Sequence, residues 1–264
     1  MPTYRRSYGG YGGGQGWNIG GYFPPAIKAI CIACVSVFFL QNVSRLLFHF
    51  EGWNFWLFWF GLSPYKVTHF GFIWQLATYL FLHADIWHIL FNLLYLAMFG
   101  ADLERMWGSR KFVTYFFVCG VGAGLTDLIV RTLLAPHGFA STLIPTIGAS
   151  GAIYGILLAC AVIMPHRQVF LMFPPVTLSM RWLVIILGGI EFFSTIGASG
   201  DNVSHLCHLG GMGVGYLYLR RDSFLYNFRN RVSDHQKRRL RKKFEVYVRD
   251  HKEKPPSRPD NWVN

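Results

Sequence analysis

Long apolar runs separated by short polar stretches make up most of this 264-residue chain. Six stretches, roughly 26–48, 84–101, 112–133, 146–164, 181–198 and 204–219, carry few charges. Each comes close to the ~20 apolar residues that a helix needs to cross the hydrocarbon core of a bilayer. At such lengths the run itself, rather than amphipathic periodicity, decides the reading, and it predicts six membrane-spanning helices. Residues 49–83 form no continuous run, because Glu51, Pro64, Lys66 and several glycines interrupt them. The same stretch is loaded with Trp53, Phe55, Trp56, Phe58, Trp59, Phe60, Phe70, Phe72 and Trp74. Amphipathic rings settle where lipid meets water, so this loop is predicted to lie flat in the outer interface rather than to form a seventh span.

Composition agrees with that pattern. Apolar residues make up 52% of the chain and charged residues 14%, more apolar than a soluble domain of this size needs. The net charge of +12 is concentrated at one end: fourteen of the 25 Lys and Arg follow Leu219, with a cluster at Lys237-Arg238-Arg239-Leu240-Arg241-Lys242-Lys243. Residues 1–23 are rich in Gly and Tyr and lack an apolar core of the signal-peptide kind. Three regions are therefore expected: a disordered head (1–23), a helical membrane domain (24–221) and a basic tail (222–264). Lys and Arg near spans stay cytoplasmic. With six alternating spans, Arg5, Arg6, the 104–111 turn, the 166–181 turn and the tail share that side, and both termini are expected in the cytoplasm. A bacterial inner membrane suits the lack of a targeting segment and of a large outer domain.

Polar residues in hydrocarbon-length runs cost free energy unless they pair, so each is a candidate functional residue. His88, Asn92, Ser150 and His208 are such residues. The second, fourth and sixth spans all begin on the outer side, which brings His88, Ser150 and His208 to one depth. A serine needs a base before it can act as a nucleophile, and histidine is the usual one. Gly148 and Gly151 around Ser150 permit a sharp entry into the fourth helix and close approach to a substrate carbonyl. Ser150 at a helix start, where amides lack partners, suits an oxyanion. His88 and Asn92, four residues apart on one helix face, can add side-chain donors to the same oxyanion. Gly211 and Gly215 lie below His208 at i+3 and i+7, a stripe that lets the fourth helix approach closely. Tyr154, one turn below Ser150, can stack on the imidazole. His205, three residues before His208, is the competing base.

Taken together, Gly148-Ala-Ser150-Gly151, His88-xxx-Asn92 and His208 with Gly211 and Gly215 resemble the rhomboid family of intramembrane serine proteases, in its bacterial six-helix form. Trp74-Gln75 through His83 and Glu104-Arg105 before Gly108-Ser109 are similar to family features too. The resemblance implies an all-α polytopic bundle with Ser150 as nucleophile and His208 as general base. It further implies an oxyanion site from His88, Asn92 and Gly148, and no acidic third member. The expected reaction is cleavage of transmembrane segments near their outer ends, with no cofactor and no metal. Gln75 departs from the arginine common at that position and bears on local packing. His83 and Glu104 are read as structural anchors. Cys31, Cys34, Cys119, Cys160 and Cys207 all lie in apolar runs and are read as reduced packing residues.

Two rival functions are an inactive relative that binds transmembrane helices and a small-solute transporter. The intact Ser150 and His208 oppose the first, and the lack of an internal repeat opposes the second. Aromatic and aliphatic residues among the tail's charges suggest a surface-lying helix held by anionic lipids. RNA is the partner that a basic run equally permits. Transmembrane substrates and the lipid bilayer are the partners expected, with no nucleic acid.

Overall fold

The computed structural model describes residues 23–133, 139–171, 175–196 and 205–221. The head (1–22), the basic tail (222–264) and the 197–204 turn lie outside the described residues. Helix α1, Pro25–Phe60, begins on a proline, whose missing N–H costs nothing in the first helical turn. It is broken at His49, which takes a left-handed φ of 52°. Beyond the break the aromatic arm folds back: Trp56 Nε1 donates to Ser44 Oγ at 2.7 Å, and a Cβ on Gly52 would overlap the Ser44 carbonyl. Two short helices follow, α2 (Pro64–Phe70), which Gly71 ends in the left-handed conformation, and α3 (Gln75–Thr78). The 49–83 stretch is thus a chain of short helices, each too short to span a bilayer.

Gln75 is fully buried, with its side-chain carbonyl accepting from Ser63 N at 3.1 Å and its amide donating to Phe58 O at 2.9 Å. An amide therefore holds the turn between the aromatic arm and α2. Next come α4 (Ile86–Tyr95) and α5 (Ala101–Trp107), joined without a break by a π-helical turn over Leu96–Gly100, and α6 (Ser109–Leu133). Helix α7 is Ser150–Ile163, α8 is Met180–Ile196 and α9 covers 205–221. Between α7 and α8 the chain pairs β1 (Gln168–Leu171) antiparallel to β2 (Val176–Ser179), so the expected turn there is a small hairpin in a helical fold.

Each of the six apolar runs is occupied by a helix. Among the described residues, three helices are long and apolar enough to cross a membrane: Pro25–His49, Ile86–Trp107 and Ser109–Leu133. Helix α7, with 14 residues, is only about 21 Å long against a core of about 30 Å. It is the central helix, with eight of the ten residues from Gly151 to Cys160 buried by its neighbours. Large apolar side chains face outward around an apolar core that also buries several polar groups. Leu46, Phe39 and Phe193 are among the most exposed residues, whereas Gln41, Gln75, His83 and Asp127 are fully buried. Such an arrangement suits lipid rather than water as the surrounding solvent.

Hydrogen bonds sort the connections to two ends. At one end Glu104 is buried, and its carboxylate accepts from Ala26 N at 2.8 Å and Ile27 N at 2.9 Å, supplying acceptors to the open amides of α1. Arg167, beyond α7, pairs with Asp102 at the same end. At the other end Leu62 and Thr146 exchange backbone bonds of 3.0 and 2.8 Å. Arg131 there bridges Asp127, Thr146 Oγ1 and the carbonyls of Ser141 and Ile144. Residues 141–146 are thereby clamped as they lead into α7.

Candidate active site

The clamp delivers the chain to Gly148, whose φ of +116° is a conformation L side chains rarely adopt. A Cβ there would also sit 2.6 Å from His88 Nε2. The turn therefore needs glycine twice over, for its backbone and for its space. Helix α7 then starts at Ser150, next to amides that have no partner within the helix.

The opposing wall is α9. Its glycines meet those of α7 directly: a Cβ on Gly211 would overlap the Gly151 carbonyl, and one on Gly155 would come within 3.0 Å of the Gly211 carbonyl. At Gly215 a Cβ would lie 2.6 Å from Tyr115 Oη and 3.3 Å from Gly155 Cα. Backbone contact along this seam draws the helix starts together, and Ser150 Oγ lies 2.7 Å from His208 Nε2. The Tyr154 ring stacks on the His208 imidazole with centroids 4.3 Å apart and planes 12° from parallel. His205, the competing histidine, is not at Ser150; its Nδ1 lies 2.6 Å from Glu191 Oε2.

On the other side of Gly148 stands α4, capped by Asp85, which accepts from the Trp87 and His88 amides at 2.9 Å each. His88 Nδ1 accepts from Ala84 N at 3.4 Å, which puts the ring proton on Nε2, the atom facing Gly148. Asn92 is buried, its Nδ2 has no partner, and that nitrogen lies 3.8 Å from where a Gly148 Cβ would stand. Two side-chain donors thus converge on the start of α7. Gly148 itself needs a correction. Its N–H is engaged by the Tyr79 carbonyl at 2.9 Å, so it cannot also serve an oxyanion; its part is to turn the chain.

One acidic side chain stands beside His208. Glu191 on α8 is buried, and its Oε2 lies 3.0 Å from His208 Nδ1. The distance is that of a hydrogen bond, but the N–H direction is not aligned on the oxygen, and Nδ1 makes no hydrogen bond in this geometry. The other carboxylate oxygen accepts from the Tyr154 hydroxyl. No motif spacing surrounds Glu191 in the sequence. It is nevertheless the only carboxylate in the 181–198 run, and a lone acid in an apolar run is a signal in itself. Glu191, His205 and His208 are also donor types that bind metals. Donors around tetrahedral zinc lie roughly 3.3 Å apart, so the closer spacing at His205 is that of a hydrogen-bonded cluster.

His83 packs edge-to-face on His88 with centroids 5.1 Å apart, and its Nδ1 contacts the Phe81 carbonyl at 3.2 Å. All five cysteines are free and buried or half-buried.

A profile of the rhomboid domain matches residues 71–222, more than half of the chain. The chain belongs to the rhomboid family. Residues that carry the site in this rhomboid chain all fall inside the matched region. It is 32% identical over 158 residues to the rhomboid protease GluP of Bacillus subtilis, covering 60% of this chain and 27% of that protein. It is 29% identical over 140 residues to rhomboid protein 1, mitochondrial, of Saccharomyces cerevisiae, covering 52% and 38%. The rhomboid protease GlpG of Yersinia pestis is 24% identical over 196 residues, covering 73% and 61%. The chain therefore spans from about a quarter to three fifths of the length of these curated relatives. Family and fold together make it a helical, polytopic, integral membrane protein.

Proposed function

We propose that the chain is an intramembrane serine endopeptidase that hydrolyses peptide bonds in or near transmembrane segments of membrane proteins. One observation carries the reading: Ser150 Oγ within 2.7 Å of His208 Nε2, at the start of a buried helix. His208 takes the Ser150 proton as Oγ bonds to the scissile carbonyl carbon, and the C=O electron pair moves onto oxygen. The Ser150 amide, Asn92 Nδ2 and His88 Nε2 offer donors for that oxyanion, the kind of preorganised charge complement that most favours acyl transfer. Collapse breaks the C–N bond, and His208 returns the proton to the leaving amine. Water then attacks the acyl-enzyme through the same histidine, releasing the acid and regenerating Ser150. Two of the relatives named above are called proteases, which supports the same chemistry here.

Six spans with both termini cytoplasmic, in a bacterial inner membrane, complete the proposal. Support comes from the clustering of Lys and Arg and from the sorting of connections to two ends. The basic tail is proposed to lie on the anionic cytoplasmic leaflet.

The test is cleavage of a model transmembrane substrate by purified protein. Ser150→Ala and His208→Ala should each lower turnover by about 10⁴-fold or more, with insertion and helicity unchanged, while His205→Ala retains measurable cleavage. Cleavage by Ser150→Ala at the wild-type rate would remove the reading altogether.

A further inference from the structure

A general base works only if its lone pair faces the nucleophile. Because His208 Nε2 must accept from Ser150, the ring proton of a neutral His208 has to reside on Nδ1, and that nitrogen points into protein rather than water. The nearest group is the Glu191 carboxylate, 3.0 Å away. We propose that Glu191 is a positioning residue of this site, holding His208 with its proton on Nδ1 so that Nε2 faces Ser150. The inference rests on the serine-protease reading above and adds to it a third, acidic member contributed by α8.

Three observations besides that distance point the same way. First, the carboxylate is itself held in place: the Tyr154 hydroxyl donates to Oε1, and His205 Nδ1 stands 2.6 Å from Oε2. A buried charge with that many partners is fixed rather than free to swing toward solvent. Second, Tyr154 serves both groups at once, with its ring stacked on His208 and its hydroxyl on Glu191, so imidazole and carboxylate share one brace. Third, the residues flanking Glu191 on α8 are apolar and turned outward, with Ile190, Phe192 and Phe193 exposed. Its single acid faces the opposite way, toward α7 and α9. The remaining misalignment of the Nδ1 contact is of the kind that closes when a substrate is bound, since such hydrogen bonds often tighten only in the complex.

Chemically the carboxylate acts twice. Before the attack it selects the Nδ1–H tautomer, and during the attack it faces the imidazolium that forms as His208 takes the Ser150 proton, without taking a proton itself. His205 and Tyr154 act through Glu191, and neither touches the reacting atoms.

Glu191→Gln separates this role from a packing role. The glutamine keeps the shape but can present an amide N–H to Nδ1, which drives the ring proton to Nε2 and blocks it as a base. The comparable exchange in a soluble serine protease lowers kcat about 10⁴-fold. Here the full-length protein in detergent, assayed on a transmembrane substrate, should lose about 100-fold or more in kcat, with KM within about threefold. Labelling of Ser150 by a fluorophosphonate, which needs no transmembrane substrate, should slow in parallel. Nitrogen NMR of ¹⁵N-histidine protein, with His208 assigned from the His208→Ala difference, should show the proton moving from Nδ1 to Nε2. Glu191→Asp should recover at least about a tenth of wild-type kcat, and Tyr154→Phe, which keeps the stack and loses the hydroxyl, should fall about three- to tenfold. These two variants decide the matter if Glu191→Gln folds poorly. Wild-type kcat in Glu191→Gln, a change confined to KM, or an unmoved ring proton would overturn the proposal while leaving the serine-protease reading intact. Activity in Ser150→Ala would instead overturn that underlying reading.

Discussion

Asn92 carries a buried side-chain nitrogen without a partner, one turn beyond His88 on α4. Leaving a buried donor unmade costs roughly 1–3 kcal/mol, and the site beside Gly148 is where such a donor would be used. Losing one oxyanion donor typically costs about a hundredfold in rate. Asn92→Ala should therefore lower kcat by about that factor, with the protein at least as stable as wild type in thermal unfolding, because an orphaned group has been removed. Unchanged kcat would take Asn92 out of the mechanism. His83, just before α4, makes a different prediction. Burial, and then the neighbouring His88, push it from 6.5 down to about 4. The folded chain thus refuses a proton that the unfolded chain accepts below about pH 6.5. Its contribution is whole above pH 6.5, is lost as the pH falls towards 4, and is level below that, for a total of up to about 3 kcal/mol. A His83→Leu protein, unfolded with denaturant at pH 7 and pH 4.5, should show a smaller fall than wild type, and an equal fall would count against this assignment. Ser150, His88, Asn92 and His208 could be found in the sequence because each is a polar group in an apolar run with recognisable spacing. Glu191 met the first condition without the second, since its partners come from α7 and α9, far from it along the chain. That Gly148 spends its N–H on Tyr79 is a tertiary fact that no local pattern encodes.

Among the elements, the seam between α7 and α9 sets the geometry of the site, and it does so by lacking side chains. Gly211 and Gly213 sit two residues apart on one helix, yet a Cβ on the first overlaps the Gly151 carbonyl while one on the second meets nothing within 4 Å. Overpacking against backbone costs about 1–3 kcal/mol or more and must push Ser150 away from His208. Gly211→Ala should lose stability by at least that much, and cleavage with it, whereas Gly213→Ala should match wild type in both. Equal behaviour of the two variants would mean that the helices can part without consequence. The positions of the helices were legible because membrane segments are announced by run length, and the glycine stripe announced its own partner. The break at His49 was not, because a left-handed φ in a histidine is imposed by the fold-back of the aromatic arm rather than preferred locally. The β1–β2 hairpin was hidden for the opposite reason: its strands are four residues each, too short to stand out between two long helices.

For the whole molecule, connections near Glu104 and Arg167 gather at one end, and those near Leu62 and Thr146 gather at the other, with Ser150 and His208 towards the second. The proposed cytoplasmic tail starts from the first of these ends, remote from the proposed chemistry. A peptide of residues 222–264 should bind vesicles containing anionic lipid and not neutral ones, weakening as salt rises, since each nearby Lys or Arg contributes about 1 kcal/mol at such a surface. Equal binding to both vesicle types would show that charge is not what holds it. Glu104 bears on how such a molecule comes to exist. The amides at the start of α1 find their acceptor 78 residues downstream, in Glu104. At about 5–20 residues per second, a ribosome takes about 4–16 s to supply it. During that interval the first helix sits in the bilayer with an open end, and it is locked only when the second has been threaded through to Trp107. Maturation of this protein thus has a built-in order, in which one helix waits for a segment made after it to close its end.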